Sequence, residues 1–171
     1  MSLTVEWEPL SALLSSGLED LAIAHWEEAE IDKEDVPLAL DLERAFAFEK
    51  AGQYKTAALR RDTSLVGYAT FTIMPPIFHR NTLHAFCSAV YVDPAHRGFA
   101  SLWLLRWCEE ALTGLGVRKI YIAAKTDRLR ELLAKLGYVV SETSHCKVVG
   151  GRRVQRSASP HSVPALESSG R

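Results

Sequence analysis

Six consecutive residues, Arg97-Gly98-Phe99-Ala100-Ser101-Leu102, open a long amphipathic segment directly after the apolar run Val90-Tyr91-Val92 and the turn Asp93-Pro94. A buried strand that passes into a helix over so short a turn points unpaired backbone N–H groups and the positive end of the helix dipole at one spot, which makes an anion site. Gly98 would let the backbone approach a phosphate closely, and Arg97 would add charge-assisted hydrogen bonds. Two side chains on the adjoining strands carry acid–base chemistry. His84 shares its parity with Phe86 and Ser88 and has the ordinary pKa of a general base, and Tyr121 would serve as acid. A single His or Tyr on a strand is more often simply packed. The stretch Glu27, Glu28, Glu30, Asp32, Glu34 and Asp35 holds six acids. Those acids either draw a cationic group or form a solvated loop.

The elements that must position these groups follow from hydrophobic period. Leu3, Val5 and Trp7 alternate as a half-buried strand that Pro9 ends. Residues 10–27 have helical spacing broken at Ser15-Ser16-Gly17, which predicts two short helices. Another helix runs through Leu42, Ala45, Phe46 and Glu49 to Ala51-Gly52. Residues 54–60 and 65–74 read as an antiparallel hairpin, and 82–92 as a central strand apolar on both faces toward its end. A strong helix over 98–115, a strand over 119–124, a helix over 128–136 and one or two last strands within 138–149 complete the order. The pattern is a mixed α/β sheet rather than a pure dinucleotide-binding one.

Composition narrows the class. The 171 residues fit one compact domain over 1–149. The serine-, proline- and arginine-containing tail 150–171 is too poor in apolar residues to offset its ordering entropy. A net charge of -1 gives no general attraction to nucleic acid or anionic membrane. Cys87, Cys108 and Cys146 lack zinc-like or CxxC spacing and read as buried free thiols of a reducing compartment. Residues 1–10 do not resemble a signal peptide, and no apolar run is long enough to span a membrane, so a cytoplasmic protein is expected. His145 beside Cys146 would face the opposite way on a strand, and no metal site is expected. Gly114-Leu115-Gly116 follows a helix and reads as its stop rather than as a nucleotide loop.

The run Val92-Asp93-Pro94-x-x-Arg97-Gly98, with the helix after it and the later Leu136-Gly137-Tyr138, resembles the GNAT superfamily of acyl-CoA-dependent N-acyltransferases over about residues 3 to 149. His25-Trp26-Glu27-Glu28, with the Val-Asp-Pro-Ala-His-Arg-Gly run, further resembles a branch found in tailed phages and prophages. The resemblance implies a mixed, mostly antiparallel sheet flanked by helices, with acetyl-CoA as acyl donor. It implies that Val90, Tyr91 and Val92 hold the pantetheine arm and the acyl carbonyl where two parallel strands splay. It also implies that Arg97, Gly98, Phe99, Ala100, Ser101 and Leu102 wrap the pyrophosphate, and that Glu27, Glu28, Glu30 and Asp32 fall in the region covering the acceptor. An amine then attacks the thioester directly.

The sequence departs from the family at three places. Ala100 and Leu102 stand where the Arg/Gln-x-x-Gly-x-Gly/Ala loop has small glycine positions. Leu133 stands where a tyrosine often protonates the thiolate, and Thr126 where an asparagine is expected. The reading is therefore an N-acetyltransferase acting on a primary amine. Its alternatives are a catalytically degenerate binding protein of the same fold, or a phage-type modifier of a nucleic-acid base amine, to which Arg152, Arg153 and Arg156 would lend contacts. The acceptor, the acyl chain length and the oligomeric state, a homodimer included, are open at this point.

Overall fold

The computed structural model describes residues 2–149; the tail expected over 150–171 lies outside them. Five strands form one sheet in the order of the chain: β1 (Leu3–Glu8), β2 (Tyr54–Arg61), β3 (Ser64–Met74), β4 (Leu83–Val92) and β5 (Val117–Ile122). The first four pair antiparallel, and β5 joins β4 in parallel. A parallel neighbour requires a crossover, and α4 (Phe99–Gly114) supplies it. The mixed, mostly antiparallel architecture expected from the sequence is the one observed.

Alternation along the strands gives each face its own core. Ala57, Ala69, Phe71, Ala85 and Val92 meet Ala100, Leu104, Cys108 and Leu112 of α4, so the crossover helix seals one face. On the other face, Leu10 and Leu13 of α1 (Leu10–Leu14) and Leu18 of α2 (Leu18–Ala29) cover Ala58, Tyr68 and Tyr91. The break between those helices is where Ser15-Ser16-Gly17 places it, with Gly17 at φ 91° starting α2. The Asp41 carboxylate accepts from Arg44 N–H at 3.1 Å and starts α3 (Leu42–Lys50), while Thr126 Oγ1 accepts from Leu129 N–H at 3.3 Å and starts α5 (Asp127–Lys135).

Three expectations need correction. Residues 138–149 form no strand. Gly137, at φ 87°, turns the chain off the end of α5, and Val139 and Val140 are more than four-fifths exposed. β-branched composition is a preference that a partner edge must complete, and the segment after α5 does not pair with β5, so the outer edge of β5 carries no strand among the described residues. Cys146 is exposed on this segment rather than buried. Ser88 does not continue the parity of His84 and Phe86, because the β3–β4 register slips between Thr70 and Phe71 and leaves Ser88 as an exposed extra residue. Among the described residues, no helix is long and apolar enough to cross a membrane, and no group of three His, Cys, Asp or Glu could hold a metal ion.

Candidate active site

Strands β4 and β5 pair from Leu83 opposite Val117 to Cys87 opposite Ile122, and there the pairing stops. Ala89 to Val92 still pair with β3, but the β4 edge that faced β5 now has no strand against it. A cleft of about 610 Å³ opens at this split. It is lined by residues 87–92, by Gly98, Phe99, Ser101 and Leu102 at the start of α4, by Leu129 and Leu132 of α5, and by His25 and Glu28 of α2. Backbone amides of a half-paired strand are thus exposed in an otherwise largely apolar slot, and such groups require a partner.

The mouth of α4 adds the second feature. Gly98 sits at φ 98° and ψ -116°, a conformation that L side chains rarely adopt, and the first helical turn contains no acid. The first helix bond across this turn runs from Leu102 N–H to Gly98 O, so the amides of residues 99–101 have no helical acceptor. Five cations, Arg97, Arg106, Lys125, Arg128 and Lys135, line the same cleft against two carboxylates, Glu28 and Glu131. An anion several phosphates long suits that balance. Ala100 turns away from the cleft into the core under α4.

Arg97 does not reach out as a free phosphate ligand. Its Nε donates to Val92 O at 2.7 Å, its Nη2 is hydrogen-bonded to the Glu28 carboxylate, and its guanidinium lies 5.3 Å from the Tyr91 ring. The Arg97 bond holds the Glu28 carboxyl below its ordinary range, and Glu28 raises Arg97 in return. Arg97 therefore fastens the end of β4 to α2.

Across the slot, His25 stacks on Tyr91 at 5.2 Å and 20°, and its Nδ1 is hydrogen-bonded to Tyr68 Oη at 3.0 Å. Burial holds its pKa below the ordinary histidine value, aided by the positive charge of Lys125 and Arg97 and opposed by Glu28. His25 is a cleft residue that the sequence reading used only as part of a resemblance. The spacing Leu18, Leu21, His25 could have found it, since steps of three and seven put it on the helix face that Leu18 buries.

Residues 18–138 match the sequence model of the acetyltransferase (GNAT) family. The chain belongs to that family. Among solved structures, it is similar to a ribosomal-protein-alanine N-acetyltransferase from Brucella melitensis biovar Abortus 2308, with a TM-score of 0.70 at 16% identity over 88% of this chain and 100% of that one. An aminoglycoside acetyltransferase from an uncultured soil metagenomic sample, in complex with sisomicin, gives 0.68 at 14% identity over 86% and 95%. Glucosamine-6-phosphate N-acetyltransferase from Arabidopsis thaliana gives 0.64 at 12% identity over 86% and 98%. At such identities the likeness is one of fold. No curated protein matches the chain by sequence.

Within this GNAT domain, the remaining residues singled out from the sequence fall into two groups. Val90, Tyr91, Val92, Arg97, Gly98, Phe99, Ser101 and Leu102 all line the cleft. His84 and Tyr121 are neighbours, with ring centroids 5.8 Å apart and Tyr121 stacked on Phe86, but neither is a lining residue. They sit on the paired part of β4 and β5, below the split. His84 is 4% exposed, its Nδ1 has no partner, and burial lowers its pKa, with His79 and Lys119 adding to the effect. Three carboxylates of the acidic stretch are committed to ion pairs: Glu27 with Lys33 at 2.8 Å, Glu28 with Arg97, and Glu30 with Lys125 at 2.8 Å. Asp32 lies in the loop after α2, outside the lining. Leu133, which stands at the position the family pattern often gives to a tyrosine acid, is buried, and Thr126 is occupied in capping α5.

Proposed function

We propose that this GNAT protein transfers an acetyl group from acetyl-CoA to a primary amine by direct attack of the amine on the thioester. The observation that carries the reading is the split between β4 and β5 beside the start of α4. One half-paired strand edge and one set of free helix amides open into a single cleft lined mainly by cations among its charged groups. The pyrophosphate would rest on the amides of residues 99–101, with Arg106, Arg128 and Lys135 available to the phosphates. The pantetheine arm would run along the free edge of residues 88–92. There a backbone N–H stabilises the oxyanion that forms on the acyl oxygen.

The chain's own residues explain how the departures from the family pattern fit. Ala100 packs into the core, so its methyl group does not narrow the phosphate site. Leu102 does line the cleft, and Leu133 offers no proton. That last feature favours one rival, a binding protein that holds acetyl-CoA without turnover. With three carboxylates of the acidic stretch paired, the pull on a cationic acceptor is local rather than a broad field.

Calorimetric titration with acetyl-CoA, followed by thiol release in the presence of amines, tests the reading. A suitable panel is an aminoglycoside, glucosamine 6-phosphate and a peptide with N-terminal alanine, the acceptor types named for the similar structures. Binding with amine-dependent thiol release is expected. Binding with no release from any amine supports the binding-protein rival, and no binding at millimolar acetyl-CoA overturns the donor site itself.

A further inference from the structure

We infer that His25, positioned by Tyr68, is the group that takes the proton from the attacking amine in this cleft. The inference rests on the acyltransferase reading above and gives its proton traffic a residue.

Of the two carboxylates lining the cleft, Glu131 stands on α5 with the cations Arg128 and Lys135, and Glu28 is bound to Arg97, which keeps it a weak base. Cys87 and Tyr91 are both pushed up by burial and stay protonated. His84, the base expected from the sequence, is not among the lining residues. His25 lines the cleft beside Ala89, Val90 and Tyr91, the stretch where the acyl group would lie, and its Nε2 has no partner among the described residues. Its ring is fixed on two sides, by the stack on Tyr91 and by the bond to Tyr68 Oη.

Tyr68 suits this task in both protonation states of the imidazole. Burial raises the Tyr68 pKa, so the phenol stays neutral, and its oxygen can accept from Nδ1–H. With the proton on Nδ1, Nε2 presents its lone pair. When Nε2 gains a proton, Nδ1–H still donates to Tyr68, so the contact survives without rearrangement. The charged groups around the ring are Glu28 on the same helix, Arg97 after β4 and Lys125 after β5, with Tyr68 and Tyr91 from the sheet. The two cations and burial together outweigh Glu28 and keep the ring neutral near pH 7.

The step balances. The neutral amine forms a C–N bond to the thioester carbon, and Nε2 takes one N–H proton as the tetrahedral adduct forms. The adduct collapses, the C–S bond breaks, and CoA leaves as a thiolate. The imidazolium then returns the proton to the sulfur, giving amide and free thiol with His25 neutral again. One imidazole thus acts as both base and acid, which accounts for a site whose expected acid position is Leu133.

His25→Gln, His25→Ala and Tyr68→Phe are to be compared with wild type by acetyl-CoA calorimetry and by thiol release across pH with the amine panel. The expected result is acetyl-CoA affinity within about twofold of wild type in the His25 variants, with kcat/KM for the amine down by about 100-fold or more. Wild-type kcat/KM should rise with pH through an acid limb below 6.5, and that limb should vanish without His25. Tyr68→Phe should keep the limb but move its midpoint, the mark of a positioning residue. An unchanged limb or a loss under tenfold in both His25 variants overturns the inference and leaves the acyltransferase reading intact. A wild type that binds acetyl-CoA and releases no thiol with any amine overturns the inference and the transfer reaction together, and only the donor site survives. Absence of acetyl-CoA binding in wild type removes both.

Discussion

Arg97 and Glu28, 69 residues apart in sequence, meet across the mouth of the cleft, and Arg97 also donates to the Val92 carbonyl at 2.7 Å. The pair therefore couples the last residue of β4 to α2. A double-mutant cycle with Arg97→Ala and Glu28→Gln should give a coupling of about 1 kcal/mol in unfolding free energy, limited by the exposure of Glu28. Because Arg97 is already engaged, Arg97→Ala should weaken acetyl-CoA through a loosened β4 end, and Glu28→Gln should weaken it too. If Glu28→Gln instead tightens acetyl-CoA, the released guanidinium is a direct phosphate ligand.

Two glycines shape the donor site by different means. A Cβ on Gly67 would lie 2.8 Å from Tyr91 O and 3.0 Å from Val92 Cγ2, so Gly67→Ala must push on the end of β4. A cost of roughly 1–3 kcal/mol in chemical unfolding is expected, with weaker acetyl-CoA binding. At Gly98 nothing lies within 4 Å, so the cost of Gly98→Val is the backbone conformation, again of order 1–3 kcal/mol. A folded Gly98→Val protein that binds acetyl-CoA as tightly as wild type would show that this turn does not hold the donor.

Stability should fall on the acid side of neutrality. His25 and His84 both have folded pKa values below 6.5, so the unfolded chain binds more protons than the folded one as pH drops through that region. Their contribution is fully present above pH 6.5 and is lost as pH falls through the folded values. Thermal melts between pH 7.5 and 5 should show a falling Tm for wild type and a flatter slope for His84→Asn. An equal slope in that variant would mean that other groups set the acid limb.

Truncation after Val149 tests the domain boundary set by composition. If 150–171 adds nothing to the fold, unfolding should shift by less than about 1 kcal/mol, the size of an ordinary surface effect. A larger loss would place the tail against the domain.

Local rules made most of the frame legible. Helix starts at Asp41 and Thr126, the break at Ser15-Ser16-Gly17 and the strand-turn-helix over 88–102 all express interactions between residues close in the chain. The site was less legible because its decisive relations are long-range. Nothing near Ile122 announces that β5 parts from β4 there, and Glu28 carries no local sign that Arg97 will neutralise it. His84 had the right strand and the right chemistry, but strand parity alone could not say how far up β4 the cleft begins. The bulge at Ser88 shifts that parity within the same strand. Residues 138–149 show the converse, a strand-like composition whose partner edge the chain does not reach.

Cys87 stands at the split itself, lining the cleft where a thioester would be held. Thiols exchange acyl groups readily, but only as thiolates. Burial pushes the Cys87 thiol up to about 12, so at neutral pH its reactive fraction is about one part in 100,000. The protein can therefore keep a sulfur nucleophile beside its acyl donor without becoming acylated itself. Alkylating reagents should label Cys146 on the exposed chain and spare Cys87.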